Sequence, residues 1–393
     1  MNPNDMKGEV SKGTQLQPMV PQRLDIAPGP SPSGERAMRL DVLIPSHNRG
    51  AQLERTVRSV MRAEQAPALR ARITVICNDC TDDSHQRLAR LQAERPDSLR
   101  VVDEPRRGKS VALNTGIAAT SGDLVGMIDD DEEVESNWLR VIAESFQDER
   151  LEYIGGPYLA CWETPPPPWA PDDYPAVLGS ADNGPVARDY DRHFPGILKG
   201  GNAVIRRRTL RRVGPYAEQL GPGTLSRLLS CEDEEMYLRL LEDGARGRYV
   251  PELLIRHHVS IARFTASYFR RWCFWRGVSR GLMDRAHPLP VAYLAGVPRF
   301  LVGRAARSVI NLGRGLVRGQ ARKDRFGQEL RLWDLAGYFY GRNLYPLAHL
   351  FLAKKRRSSE TVDEPAPVQD DVDDEAPGEE IPRAADRDVA ITA

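Results

Sequence analysis

The chain has 393 residues, enough for one large domain or two modest ones around a sizeable core. Its 55 Lys and Arg balance its 55 Asp and Glu, so net charge gives no ground for a nucleic-acid partner and none is expected. Five scattered cysteines suit a reducing compartment better than a disulfide framework.

Residues 1–37 are rich in Pro, Gly, Ser and Gln, lack apolar periodicity, and are expected to be disordered without forming a secretory signal. The ordered middle then alternates strand and helix patterns. Leu40 to Ile44 reads as a strand closed by Pro45-Ser46-His47-Asn48-Arg49, and the next helix turns Leu53, Val57 and Val60 inward. Ile73 to Cys77 is a second strand, followed by a helix with Leu88 and Leu91 on one face. A third strand near Leu99 to Val102 leads through Arg106-Arg107-Gly108-Lys109 into a helix over 110–119. Leu124 to Ile128 is the fourth strand. Units of this length imply right-handed crossovers and a parallel sheet covered on both faces. Beyond Tyr153 the pattern turns irregular, and Pro165 to Pro168 predict an extended loop.

Past Ile261 the sequence becomes helical, aromatic and basic. Within 291–318 the arginines at 299, 304, 307, 314 and 318 gather on one side of a helical wheel. Such a helix either lies on an anionic membrane surface or packs against the rest of the chain. The tail 358–393 is acidic and expected to be disordered. No apolar run reaches the roughly 18 residues that a bilayer span needs. A cytoplasmic protein with two loose ends is expected, peripheral on the inner face of the plasma membrane if that helix binds lipid.

The chemistry concentrates at strand ends. Asp129-Asp130-Asp131 follows the fourth strand, where open α/β sheets bind ligands. Carboxylates so close repel unless a cation lies among them, which suits Mg²⁺ or Mn²⁺ shared with phosphates; a solvated acidic turn is the plainer alternative. Arg107-Gly108-Lys109 at a helix start can aim N–H groups and cations at a phosphate, although P-loop glycine spacing is missing. A Gly-x-Gly-x-x-Gly turn is also absent, which argues against a dinucleotide-binding dehydrogenase. Cys77 and Cys80 have CxxC spacing without a second pair, so an incidental pair is expected. Glu232-Asp233-Glu234-Glu235 opens a helix, where acids favour the dipole whether or not they are catalytic. His257-His258 ends an apolar strand. Gly200-Gly201-Asn202 is either an ordinary turn or a close approach to ligand, and Trp162 and Trp169 are either core or an acceptor wall.

Taken in order, Val42 to Arg49, Val75 to Ser84, Arg107-Gly108-Lys109, Ala112 to Gly116, Gly122-Asp123-Leu124 with the Asp triplet, Gly155-Gly156-Pro157, Gly200-Gly201-Asn202, Arg206-Arg207, Val213-Gly214, Glu232-Asp233-Glu234, Val250-Pro251 and His257-His258 resemble a family 2 glycosyltransferase. The resemblance runs from about Arg39 to Tyr268. It implies a GT-A fold, a mainly parallel twisted sheet flanked by helices, over 38–265, with a helical extension over 266–357. It implies an inverting transfer from a nucleotide sugar, a UDP-sugar above all, to a hydroxyl on a glycan, lipid-linked or small-molecule acceptor, in cell-envelope polysaccharide or glycolipid synthesis. By the same resemblance Asp129 and Asp131 hold a divalent metal, with the register inside the triplet open, and His257 or its neighbour completes the shell. Pro45, Asn48, Arg49, Asn78, Asp79, Asp82, Gly108, Lys109, Asn114, Asp130, Gly201 and Asn202 would line the donor. Asp233, with Glu232, would be the base. Cys77 falls where many relatives carry an acid, which weakens the case for uridine. Arg271-Trp272 resembles part of the Gln-x-x-Arg-Trp element of processive synthases, but Tyr268 replaces the glutamine. A nucleotidyltransferase and a non-catalytic sugar- or membrane-binding module are the competing readings.

Overall fold

In the computed structural model, residues 37–223 and 228–345 are described; the two expected disordered segments, 1–37 (but for Ala37) and 358–393, lie outside them, as does 346–357. β1 (Met38–Ser46), α1 (Gly50–Arg62), β2 (Leu69–Asn78), α2 (Ser84–Glu94), β3 (Leu99–Glu104), α3 (Lys109–Ala119) and β4 (Leu124–Met127) alternate as the sequence predicts. They build four parallel strands in the order β3-β2-β1-β4. Buried on both faces, β1 is a continuous apolar run rather than an alternating one. Leu40, Val42 and Ile44 join the core under α1, α2 and α4, whereas Leu43 joins the opposite core with Ala112, Leu113 and Ile117 of α3.

The second half departs from the parallel pattern. β5 (Glu132–Val134), α4 (Trp138–Ser145), β6 (Tyr153–Gly155), β7 (Tyr158–Trp162), β8 (Arg188–Tyr190), β9 (Ala203–Arg206) and α5 (Arg207–Val213) come first. They are followed by α6 (Glu232–Glu242), β10 (Gly247–Tyr249) and β11 (Ile255–Val259). The main sheet extends as β4-β9-β6-β10-β8, with β9 antiparallel to both of its neighbours. A smaller sheet, β5-β11-β7, carries the chain past the acidic triplet. Prolines 165–168 do lie in a long connection, yet short strands of three to five residues flank it. Strands that short contain too few residues to show a period of two.

α7 (Ala266–Ala286) and α9 (Arg322–Phe339) pack closely, because a Cβ on Gly277 or Gly337 would collide with the backbone of the facing helix. Trp169 stacks edge-on to Phe269 and Phe326 at 5.5 Å, so it belongs to this core. Trp162 stays partly exposed. The hairpin β12 (Tyr293–Leu294) and β13 (Val297–Pro298) leads into α8 (Arg299–Val317), which buries Leu301, Ala305 and Ser308.

At the end of the sheet away from the acids, Arg207 is enclosed. Its guanidinium donates to Asp41 Oδ2 at 2.9 Å, Gly122 O at 2.6 Å, Ile117 O at 2.9 Å and Thr120 Oγ1 at 2.8 Å. These bonds tie β1, α3, β4 and α5 into one frame. Arg207→Met should leave the buried Asp41 carboxylate without its cation, with only the Gly122 N–H to bind it, and cost about 3–5 kcal/mol in urea unfolding. The double variant Arg207→Met/Asp41→Leu should recover part of that loss.

Candidate active site

Four loops meet at the carboxyl edge of β1, β2, β3 and β4, as the strand directions require. Asp129 Oδ1 lies 2.6 Å from Lys109 Nζ, and the same amine is 3.4 Å from Glu232 Oε1. Burial opposes the charge on Lys109, but Asp129, Asp233 and Glu232 hold it firmly protonated. Asp130 turns the other way. Its carboxylate accepts from Ser46 Oγ at 2.7 Å and from Arg49 Nη1 at 2.9 Å, and burial raises it to about 6. Asp130 therefore belongs to the β1 loop, and Asp129 and Asp131 are the pair left facing the cleft.

Asp131 Oδ2 is 3.6 Å from His257 Nε2, 3.0 Å from Arg49 and 3.5 Å from Arg263. Burial alone would raise this carboxyl; His257, Arg49 and Arg263 hold it well below the usual range. His257 Nδ1 lies 3.0 Å from Gly179 O. That contact orients the ring so that Nε2 points at Asp131, as the second hydrogen bond of a ligating histidine would do. His258 faces Glu133 at 2.6 Å instead. Asp131 and His257 face each other while Asp129 is held by Lys109, so a hard divalent cation at this triplet would have to draw the three ligands together.

The turn Gly200–Asn202 separates two further acids. A Cβ on Gly200 would strike the carboxylate of Asp233, and one on Gly201 would strike that of Glu132. The glycines are there because carboxylates occupy the space beside them. Asp233 Oδ1 is buried and has no hydrogen-bond partner among the described residues. Burial, then the charge of Asp233, pushes Glu232 up to about 7. Cys231 precedes this pair in the left-handed region, φ 72°, which swings the start of α6 toward Lys109.

Several residues expected at the donor are spent on the frame. Asn202 is fully buried, accepting from Trp138 Nε1 at 3.1 Å and donating to Leu253 O at 2.6 Å. Asn78 donates to Glu104 O and Arg106 O and accepts from Gly108 N at 2.8 Å, so the Gly108 N–H is not free for a phosphate. Arg107 pairs with Asp79 at 2.7 Å. Asn114 exchanges hydrogen bonds with the backbone of Tyr216. Asp82 accepts from Gly50 N and Ser84 N, and Asn48 reaches Thr81, which joins the first two loops. Pro45 is buried within β1. For the asparagines the reason is common: amides at strand ends satisfy backbone groups that the ending sheet leaves unpaired.

Sequence reading passed over Glu132, Arg263 and Ser46. Glu132 prolongs the acidic run by one residue and accepts from Asp129 N at 2.8 Å. Burial, then the charges of Asp129 and Asp131, raises it far above the carboxylate range. The length of the run was its only signal; Arg263 and Ser46 had none.

Residues 41–214 match the model of glycosyl transferase family 2. The glucosyl-dolichyl phosphate glucuronosyltransferase of Haloferax volcanii is 23% identical over 257 residues, 64% of this chain and 79% of the relative. Succinoglycan biosynthesis protein ExoM of Rhizobium meliloti is 24% identical over 276 residues, 68% and 84% of the two chains. Among solved structures, mannosyltransferase PcManGT from Pyrobaculum calidifontis, in complex with GDP-Man and Mn²⁺, superposes with a TM-score of 0.53. It is 17% identical, with 81% of this chain and 89% of that one covered. The family model falls on β1 to β4, their loops and Asp129 to Asp131, so residues 41–214 are similar to glycosyl transferase family 2, and the fold is that of the GT-A glycosyltransferases.

Proposed function

We propose that this enzyme moves a sugar from a nucleoside diphosphate donor to an acceptor hydroxyl by a single displacement with inversion. The observation that carries the reading is Asp233: a half-buried carboxylate whose Oδ1 has no hydrogen-bond partner among the described residues, kept clear of side-chain bulk by Gly200. In this reading Asp233 accepts the proton of the attacking hydroxyl. Glu232 lies at its side with a carboxyl raised to about 7 by burial and by Asp233, so its second negative charge is partly suppressed at neutral pH. Lys109, held charged by three acids, would meet the departing diphosphate. Arg49 and Arg263 fix Asp131, and the Gly179 carbonyl fixes His257.

Asp129, Asp131 and His257 would hold Mn²⁺ or Mg²⁺. When bound, the cation supplies Lewis-acid stabilisation to the leaving diphosphate, worth several kcal/mol. PcManGT, similar in fold, was solved with GDP-Man and Mn²⁺, which supports this class of donor and ion.

For the acceptor we propose a lipid-linked or growing cell-envelope glycan on the cytoplasmic face of a membrane. The named substrate class of the Haloferax relative supports this, and so does α8. No described helix is long and apolar enough to cross a membrane. Yet α8 exposes Val309, Ile310, Leu316 and Val317 by 57%, 53%, 65% and 89%, beside exposed Arg299, Arg307, Arg314 and Arg318. An apolar ridge edged by arginines suits the boundary between headgroups and acyl chains.

Three outcomes are expected. Asp233→Asn should lower release of nucleoside diphosphate at least ~100-fold while the donor still raises the melting temperature. Near-normal turnover, or pyrophosphate as the product, would refute the assignment. Asp129→Asn/Asp131→Asn should lose the calorimetric heat of Mn²⁺ in the presence of nucleoside diphosphate. The full-length protein should co-sediment with phosphatidylglycerol vesicles at low salt, and Ile310→Asp/Val317→Asp should abolish this; no binding by the unaltered protein rejects the membrane reading.

A further inference from the structure

Away from the cleft acids, three side chains of different ligand chemistry meet where β2, β3 and α2 converge. Cys77 lies next to the end of β2, and Asp103 is its register partner on β3. His85 is in the first turn of α2, whose inward Leu88 and Leu91 pin that helix to the sheet. The thiol sulfur, an imidazole nitrogen and a carboxylate oxygen all lie within 4.8 Å of one another. His85 Nε2 is 2.7 Å from Asp103 Oδ1. Cys77 is buried while the other two are exposed, so a sulfur floors a pair of surface ligands. Behind it Cys80 is hydrogen-bonded to the Cys77 thiol, a contact that lowers Cys80 to about 7, and its own thiol reaches Ser46 O at 3.3 Å.

We propose that Cys77, His85 and Asp103 form a second metal site, for zinc or a cation of similar softness, distinct from the one at Asp129 and Asp131. The donor set decides the class. Mg²⁺ and Mn²⁺ favour all-oxygen shells, whereas sulfur and imidazole favour Zn²⁺. Each donor stands on a different regular element, so the three are brought together by the sheet and its covering helix rather than by a loose surface loop. Three protein ligands leave a fourth position for water or for the neighbouring Cys80 sulfur. An exposed His–Asp pair alone is worth little; a cation among the three would take up the charge of the Cys77 thiolate, which the contact with Cys80 and then burial otherwise disfavour.

The position gives the site a consequence. Residues 78–83 follow Cys77 directly and carry the Asn78 latch, Asp79 at φ 56° and the Thr81 contact to Asn48. A cation stapling β2, β3 and α2 would hold this loop, which forms one wall of the cleft. This inference stands on its own residues and does not need the catalytic assignments.

The test uses the full-length reduced protein, stripped by chelation and then offered Zn²⁺ or Co²⁺. One zinc per chain is expected by mass spectrometry of the metal content, retained in Asp129→Asn/Asp131→Asn and lost in His85→Ala. Since His85 is exposed, that variant should fold, as circular dichroism will check. Co²⁺ should give a thiolate charge-transfer band that Cys77→Ser removes. Zinc kept by His85→Ala, zinc lost only in the aspartate variant, no zinc at all, or cobalt spectra without the thiolate band would each overturn the proposal.

Discussion

Asp129, Asp131, Glu132, Glu232 and Asp233 share one cleft, and keeping these acids together is the constraint on which the site depends. Left ionised and unpaired they would repel at low dielectric by more than a folded domain can tolerate. Two devices relieve this. Protonation is favoured on Glu132 and Glu232, both enclosed and both raised. The remaining charges are set against cations: Lys109 against Asp129, and Arg49 and Arg263 against Asp131. Among the described residues the arrangement leaves one buried oxygen of Asp233 without a partner. Such an orphaned acceptor is costly in a structural role and useful for receiving a proton.

The frame that bears this load is itself polar. Asn78, Asn114 and Asn202 each bind backbone groups from another segment, and Arg207 does the same at the opposite end of the sheet. These bonds act over large sequence separations, so they fix how the loops stand relative to one another. The aspartates can then be placed to within hydrogen-bond tolerance by elements that do not themselves meet the substrate.

How much of this was legible beforehand follows from the range of each signal. The four parallel strands and their helices were readable because β1, β2 and β4 are apolar runs closed by polar punctuation and α1 and α2 show a clear period. The acidic triplet and Glu232–Asp233 were readable as concentrated charge. Antiparallel β9 and the small sheet through β11 were not, since three- to five-residue strands carry no period and their pairing is set by distant partners. Rotamer direction was equally hidden. Nothing in Asp129-Asp130-Asp131 says that the middle residue turns toward Ser46, and nothing in His257-His258 says which ring meets Asp131; the small sheet decides both. Asn78 and Asn202 looked like ligands because polar residues at strand ends often are, and their amides proved to be occupied by backbone.

The glycine turn shows how chemistry and packing come to be the same requirement. Gly200 and Gly201 lie between Asp233 and Glu132, and each lacks a side chain because a carboxylate fills the volume a Cβ would need. The turn also ends at Asn202, whose amide is anchored to Trp138 and Leu253. A shift of this backbone by the width of a methyl group would therefore displace both acids at once and strain a buried amide. Distances at the cleft are in this way inherited from the core beneath α4, so the spacing of Asp233 and Glu132 can be no looser than the packing of Trp138.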